Sequence, residues 1–78
     1  MPNPDPISQC IETLLQQYFT DLDGEVPTGV YDMVLHRVEL PLLTIALQQC
    51  EGNQSRTADM LGINRNTLRK KMQQYHLL

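Results

Sequence analysis

The stretch from Leu40 to Leu47, with the sequence LPLLTIAL, is apolar on nearly every side of a helix, and this pattern most constrains the fold. A helix that is hydrophobic all round must be buried all round. The 78-residue chain has one other long helical pattern, which offers too little surface to enclose it. We therefore expect a homodimer in which two long helices from each chain interleave as a four-helix core.

The first half of the chain predicts the two helices of that core. Helix A should run from about Pro6 to Leu22, because Asp5 can cap its first turn and apolar residues then recur at three- and four-residue intervals. Helix B should run from about Val30 to Glu51, with Thr28 as its cap. Residues 1–5 contain two prolines and predict a flexible tail before helix A.

Pro41 lies inside the pattern of helix B. Proline removes one backbone hydrogen bond from a helix and clashes with the preceding turn, so we expect a kink near Val38 to Pro41. The alternative is a pair of helices broken at Leu40, because the residue before a proline disfavours the helical conformation.

The segment from Gly52 to Leu78 predicts a helix-turn-helix, and residues 1–51 then form the tail and the dimerisation part of one compact all-α domain. The first helix of the motif, helix C, should run from Gln54 to Leu61 behind an Asn53 cap. Gly62 suits the turn, because glycine adopts a positive φ and permits close approach to a neighbouring helix. The chain should therefore contain four helices.

Helix D, the second helix of the motif, should run from Arg65 to about Tyr75 with Asn64 as its cap. Leu68, Met72 and Tyr75 form one apolar stripe along it. The opposite face is polar and basic, and it is the face that would enter a major groove. It carries Arg65, Asn66, Arg69, Lys70, Gln73 and Gln74.

Charge is divided sharply along the chain. Residues 1–51 contain eight acidic residues and one basic residue, for a net charge of −7, whereas residues 52–78 contain five basic residues and one acidic residue, for a net charge of +4. The overall charge of −3 therefore does not argue against a nucleic-acid partner. The division indicates one electropositive surface on a scaffold that repels phosphate elsewhere.

Several functional classes lack support in the residues. The sequence has no nucleophile and base at useful spacing, no metal-ligand cluster and no glycine-rich phosphate loop, so we expect no catalysis, cofactor or metal. We expect Cys10 and Cys50 as reduced thiols. No apolar run approaches the roughly 20 residues that span a bilayer, and no hydrophobic leader opens the chain, so we expect a cytoplasmic protein without membrane contact.

Three strings bring the chain close to a known family. They are VELPLL at Val38–Leu43, GNQSRTA at Gly52–Ala58 and GINRNTLRKK at Gly62–Lys71. With them the chain resembles the Fis (factor for inversion stimulation) family from about Ile7 to Tyr75. Enhancer-binding activators of the nitrogen-regulation type carry the same helix-turn-helix behind a large ATPase domain. A chain of this length has no room for that domain, so the resemblance favours the stand-alone Fis type.

The resemblance implies a nucleoid-associated homodimer in the bacterial cytoplasm. It would bind degenerate sites in double-stranded DNA, bend the DNA, and so regulate transcription and chromosome organisation. In that family the two recognition helices lie closer together than one turn of straight B-DNA, so the DNA must bend and its deformability enters the choice of site.

The resemblance also implies which residues contact DNA. Base contacts are implied for Asn64 and Arg65, and arginine can indeed donate two hydrogen bonds to guanine while asparagine can bond base edges. Hydroxyls, amides and cations near helix starts suit phosphate oxygens. The implied phosphate contacts are Asn53, Ser55, Thr67, Arg69 and Lys70.

Two differences from the family pattern give further expectations. Fis proteins of enteric bacteria have an N-terminal β-hairpin arm that contacts DNA invertases, and this chain begins after the corresponding position, so we expect no invertase contact. Gln73 and Gln74 stand where lysines are usual, so we expect weaker DNA binding and a shallower dependence on salt.

The residues alone leave other functions open. A helical dimeric adaptor that binds protein through its four-helix core would explain the apolar helices, although not the basic carboxyl-terminal third. A regulator of one operon would use the same DNA-contacting surface as a global one, and contacts to RNA polymerase are also left open. Two roles are also possible for Arg56, a contact with DNA or an ion pair with Glu51.

Overall fold

The computed structural model of this protein describes residues 5–78, and the chain there is all-α. The predicted tail therefore lies outside the described residues except for Asp5. Within the described range no helix is both long and apolar enough to cross a membrane. The four helices are α1 (Pro6–Leu22), α2 (Val30–Gln49), α3 (Gln54–Leu61) and α4 (Arg65–Gln74).

The chain divides into two compact units, one ending at Val34 and the other comprising Leu35–Leu78. In the first unit, Asp5 caps α1 as predicted, because its carboxylate accepts a hydrogen bond from the backbone N–H of Ile7 at 3.1 Å. The helix ends at Leu22, and the next residue, Asp23, adopts a left-handed conformation with φ 50°. No side chain of α1 is fully buried in the single chain.

The start and middle of α2 differ in part from the sequence expectations. Gly29, and not Thr28, precedes the first helical residue, and its carbonyl accepts the N–H of Met33 at 3.0 Å. The predicted Thr28 cap is therefore wrong by one residue. The helix continues without interruption through Pro41, so the alternative of two helices broken at Leu40 is also wrong.

The core of the second unit joins α2, α3 and α4. Leu68 lies at its centre with 0% exposure, and side chains from all three helices surround it. The apolar stripe predicted for α4, formed by Leu68, Met72 and Tyr75, belongs to this core, so that prediction is confirmed. Its buried members are Leu43, Ala58, Leu68 and Met72, and Leu47, Leu61, Ile63, Tyr75 and Leu77 pack against them half-buried.

Helix α2 has two apolar faces. Leu43 and Ala46, on the face that belongs to the core, are 2% and 4% exposed. On another face, Val38, Leu42 and Ile45 recur at intervals of four and three residues and are 38%, 51% and 54% exposed. One face is thus covered within the chain, whereas the other presents large apolar side chains to solvent.

The helices of the second unit end in the same kind of turn. A residue in the left-handed conformation follows the helix, and the next N–H reaches back to a carbonyl in the last turn, as in a Schellman motif. At the end of α3 and of α4 this turn directs Ile63 and Leu77 against the core. The left-handed residues are Glu51 (φ 52°), Gly62 (φ 75°) and His76 (φ 57°).

Gly62 is needed for its backbone conformation and not for space. Its positive φ confirms one half of the sequence prediction. The other half, close approach to a neighbouring helix, is wrong, because a Cβ built at Gly62 would meet no atom within 4 Å. A larger residue at position 62 would therefore meet no steric clash, and only its backbone conformation would be unfavourable.

Replacement of Gly62 by alanine should lower the free energy of unfolding by about 1–2 kcal/mol, because alanine is disfavoured in the left-handed region. Gly62→Asn should lose less than half as much, since asparagine tolerates that conformation. Chemical denaturation of both variants measures the difference. Equal losses for alanine and asparagine would mean that side-chain packing, and not backbone conformation, controls this position.

Candidate nucleic-acid interface

The start of α3 is held by Asn53 and Thr57. The Asn53 side-chain oxygen accepts the backbone N–H of Arg56 at 3.1 Å, as predicted for a helix cap. The Thr57 hydroxyl, on a residue with 0% exposure, donates to the Asn53 carbonyl at 2.7 Å. Together these bonds fix the backbone that carries Ser55 on its exposed surface.

The start of α4 is held by Asn64. Its side-chain oxygen accepts the backbone N–H of Asn66 at 2.7 Å, and its carbonyl accepts the N–H of Leu68 at 3.0 Å. Arg65, the first residue of α4, extends back toward α3 and donates from Nη1 to the Ser55 hydroxyl at 3.4 Å. The turn therefore brings the beginnings of α3 and α4 to one surface.

All seven residues predicted to contact DNA are exposed. The structure brings Ser55 and Arg65 into contact, while Arg69 follows Arg65 by one helical turn. Thr67 and Arg69 are separated by about 160° around the axis of α4, so they flank opposite edges of its outward face. The seven are Asn53, Ser55, Asn64, Arg65, Thr67, Arg69 and Lys70.

The cations of this region differ in their partners. Lys71, at the edge of the inward stripe of α4, forms an ion pair with Glu39 of α2. Among the residues that the structure describes, the side chains of Arg56, Arg69 and Lys70 form no hydrogen bond or ion pair. Arg56 therefore does not pair with Glu51, and the outward cations keep their charge uncompensated.

Glu39 fastens α4 to α2 by two polar contacts. Beside the ion pair with Lys71, it accepts a hydrogen bond from the Tyr75 hydroxyl at 2.7 Å. The Glu39 side chain is 13% exposed. The hydrogen bonds from Lys71 and then from Tyr75 hold its pKa below the ordinary value of 4.5. Removal from water and the Glu39 carboxylate raise the pKa of Tyr75 to about 12.

His36 and Gln74 extend this attachment. The Gln74 Nε2 atom lies 2.9 Å from Nε2 of His36, and the His36 ring meets the Tyr75 ring edge-on with centroids 5.7 Å apart. The helical pattern predicted Gln74 on the groove-facing side, whereas in the structure it contacts His36. No sequence pattern indicated a partner for His36 or Glu39. One signal was available, because Lys71 lies three residues after Leu68 and so borders the apolar stripe, where a cation requires an acidic partner.

Comparison with known proteins identifies the family of this chain. A family sequence model described as "Bacterial regulatory protein, Fis family" matches residues 34–75. A putative Fis-like DNA-binding protein of Neisseria meningitidis serogroup A is 62% identical over the whole of both chains. The chain belongs to the Fis family. Its predicted resemblance to that family is therefore confirmed.

Other Fis-family relatives show how the similarity is distributed. A putative Fis-like DNA-binding protein of Ralstonia nicotianae is 57% identical over 95% of this chain and 96% of its own length. The DNA-binding protein Fis of Actinobacillus succinogenes is 47% identical over 90% of this chain and 71% of its own length. The matched family segment contains the buried core from Leu43 to Met72 together with both helices of the helix-turn-helix.

Substitution of Glu39 by glutamine should lower the free energy of unfolding at pH 7 by about 1–2 kcal/mol, because Lys71 loses its charged partner. The folded pKa of Glu39 lies below 4.5, so its contribution is complete above about that pH and is lost as pH falls through the folded value. Denaturant unfolding of both proteins across the acid range measures this difference.

The matched control is Glu12→Gln, which removes an exposed carboxylate from α1. Its stability should differ from that of the wild type by less than about 0.5 kcal/mol. A difference between wild type and Glu39→Gln that persists unchanged to the lowest pH would show that charge on Glu39 does not stabilise α4.

Proposed function

We propose that this Fis-family chain binds and bends double-stranded DNA as a homodimer, and thereby regulates transcription and chromosome organisation in the bacterial nucleoid. The observation that carries the proposal is the set of uncompensated cations on the outward side of α4. The names of its relatives, which describe DNA-binding proteins, support the same function.

The cations of α4 have two different proposed roles: one attaches the helix to α2, and the others contact DNA. Lys71 is neutralised by Glu39 and fastens the helix, whereas Arg69 and Lys70 remain available for phosphate. Because residues 1–51 carry a net charge of −7, DNA should be repelled from the rest of the chain and guided to this surface. A groove-bound α4 would use its two flanks on two strands, with Thr67 on one flank and Arg69 on the other.

The proposed contacts follow from side-chain chemistry and position. Arg65 is at the start of α4 and can donate two hydrogen bonds to guanine O6 and N7. Asn64 can donate from its amide to a base edge. Ser55 lies beside Arg65 and offers a hydroxyl to a phosphate oxygen. The remaining proposed phosphate contacts are Asn53, Thr67, Arg69 and Lys70.

The exposed face of α2 supports the homodimer. Val38, Leu42 and Ile45 would expose a continuous apolar stripe if the chain were monomeric. A second copy would cover this stripe with the same face, as two-fold symmetry allows. Residues 1–51 would then supply dimerisation and residues 52–78 the DNA-contacting motif, with two copies of α4 presented to paired half-sites.

An adaptor function is the second candidate, because the same exposed stripe on α2 would also accept a partner protein. It gives no role to the outward cations of α4. Charge reversal of Arg65 and Arg69 separates the two functions: it should abolish binding of DNA and leave binding of a protein partner intact.

Two variants of the DNA-binding function use the same surface of α4. A DNA-bound regulator could also contact RNA polymerase, and a regulator of a single operon would bind DNA through the same residues.

Bending is tested by a gel shift with circularly permuted DNA fragments that carry a symmetric, guanine-flanked, AT-centred site. Mobility of the complex should depend on the position of the site, and its affinity should fall as salt rises. Binding without any dependence of mobility on position would exclude bending. An absence of binding at low salt would favour the adaptor.

The matched variants for that experiment are Ile45→Asp and Val26→Asp. Ile45 lies on the proposed dimer face, whereas Val26 is 83% exposed in the loop before α2. A carboxylate at Ile45 should convert the dimer to a monomer in sedimentation and remove the gel shift, because burial of an unpaired charge is costly. Val26→Asp should retain both properties.

Arg65→Ala and Lys70→Ala should weaken DNA binding in different ways. Loss of Arg65 should cost about 1–3 kcal/mol and relax the preference at one base pair of each half-site. Loss of Lys70 should weaken all sites alike and reduce the salt dependence by about one phosphate contact. Competition binding with a set of singly substituted duplexes distinguishes these results, and identical losses on every duplex for both variants would contradict the assigned roles.

A further inference from the structure

The side chain of Asn66 has no role in the contacts described so far. It is exposed, and its amide group forms no hydrogen bond within residues 5–78. Its backbone N–H, by contrast, is bound to the Asn64 side chain at 2.7 Å. Asn66 is therefore held firmly by its backbone while both the donor and the acceptor of its side chain remain available.

Asn66 occupies the most outward line of α4. It lies about 160° around the helix axis from the buried Leu68. Lys70 and Gln73 follow it at intervals of four and three residues, so the three share one line opposite the core. Asn66 is also the second residue of the helix, and in a helix-turn-helix the first residues of the recognition helix approach the base edges.

The two asparagines at this end of α4 differ in what they can offer to a base. The Asn64 oxygen is directed at the helix start by its capping bond, which leaves the amide N–H groups as donors. Adenine presents one donor and one acceptor in the major groove, N6–H and N7, and a bidentate contact requires both halves of an amide. Asn66 can supply both without giving up a bond that stabilises the helix.

We propose that Asn66 is a specificity-determining residue that binds adenine in the major groove through both its amide oxygen and its amide nitrogen. This inference rests on the proposed DNA-binding function and adds an adenine to the base contacts already proposed for Asn64 and Arg65. Neighbouring Cα atoms are 3.80 Å apart and bases are spaced by about 3.4 Å along a strand. The adenine should therefore lie within about two base pairs of the guanine proposed for Arg65.

Competition binding with the full chain tests this, with duplexes in which every base pair of a symmetric half-site is replaced in turn. Wild type should prefer adenine by about tenfold at one position near the guanine. Asn66→Ala should reduce that preference to less than about twofold and retain the preference for guanine. Asn66→Asp should lose adenine and gain cytosine at the same position, because a carboxylate accepts from cytosine N4.

Two controls make the result unambiguous. Gln16→Ala removes an exposed amide from α1 and should leave every preference unchanged. Circular dichroism should give similar thermal midpoints for all variants, because alanine is a good helix former and aspartate is favourable in a first helical turn.

Each other outcome overturns the inference. Unchanged preferences in Asn66→Ala would show that Asn66 reads no base, while the proposed function would stand. A uniform loss on all duplexes in Asn66→Ala would assign Asn66 to phosphate instead. If wild type bound no duplex at low salt, both the inference and the proposed function would fail.

Discussion

The packing of Leu68 among Leu43, Ala58 and Met72 is the contact on which the second unit depends. Helices α3 and α4 contain eight and ten residues, and isolated helices of that length are marginal in water. Burial of one stripe from each helix against α2 compensates for this weakness. The turns that end the helices add Ile63 and Leu77 to the same core. The outward surface of the helix-turn-helix is thus a consequence of how its inner surface is buried.

Polar contacts complete what apolar packing begins. A hydrophobic stripe resists removal from the core but permits rotation and sliding, because dispersion contacts have little directional preference. Glu39 fixes the orientation of α4 relative to α2, since Lys71 and Tyr75 must both reach its carboxylate. The same contact removes one cation from the charge of α4 and leaves the others facing outward. Orientation of the helix and selection of its charged surface therefore have a common origin.

The features that the sequence predicted correctly are those set by residues close together in the chain. The bounds of α1 and α3, the caps at Asn53 and Asn64, and the positive φ of Gly62 all follow from interactions within a few positions. It did not predict the contact of Glu39 with Tyr75, because those residues are 36 positions apart and no local pattern records the distance. The exposure of Arg65, Arg69 and Lys70 was predictable, because the helical period places them away from Leu68 and Met72. The close approach expected at Gly62 was wrong, since the packing of a neighbouring helix is not encoded locally.

The division of α4 into two sides has a consequence for how such a regulator can change. Its inner positions are constrained by volume and by the shared carboxylate, so most exchanges there would weaken the fold. Its outer positions contribute little to stability, and residues such as Asn66, Lys70 and Gln73 face away from the core. On the proposed mode of DNA binding, substitutions on this outer line would alter which DNA sequences are preferred while the protein remains folded. A regulator that reads DNA with this line would therefore acquire new target genes by single substitutions, without an intermediate that fails to fold.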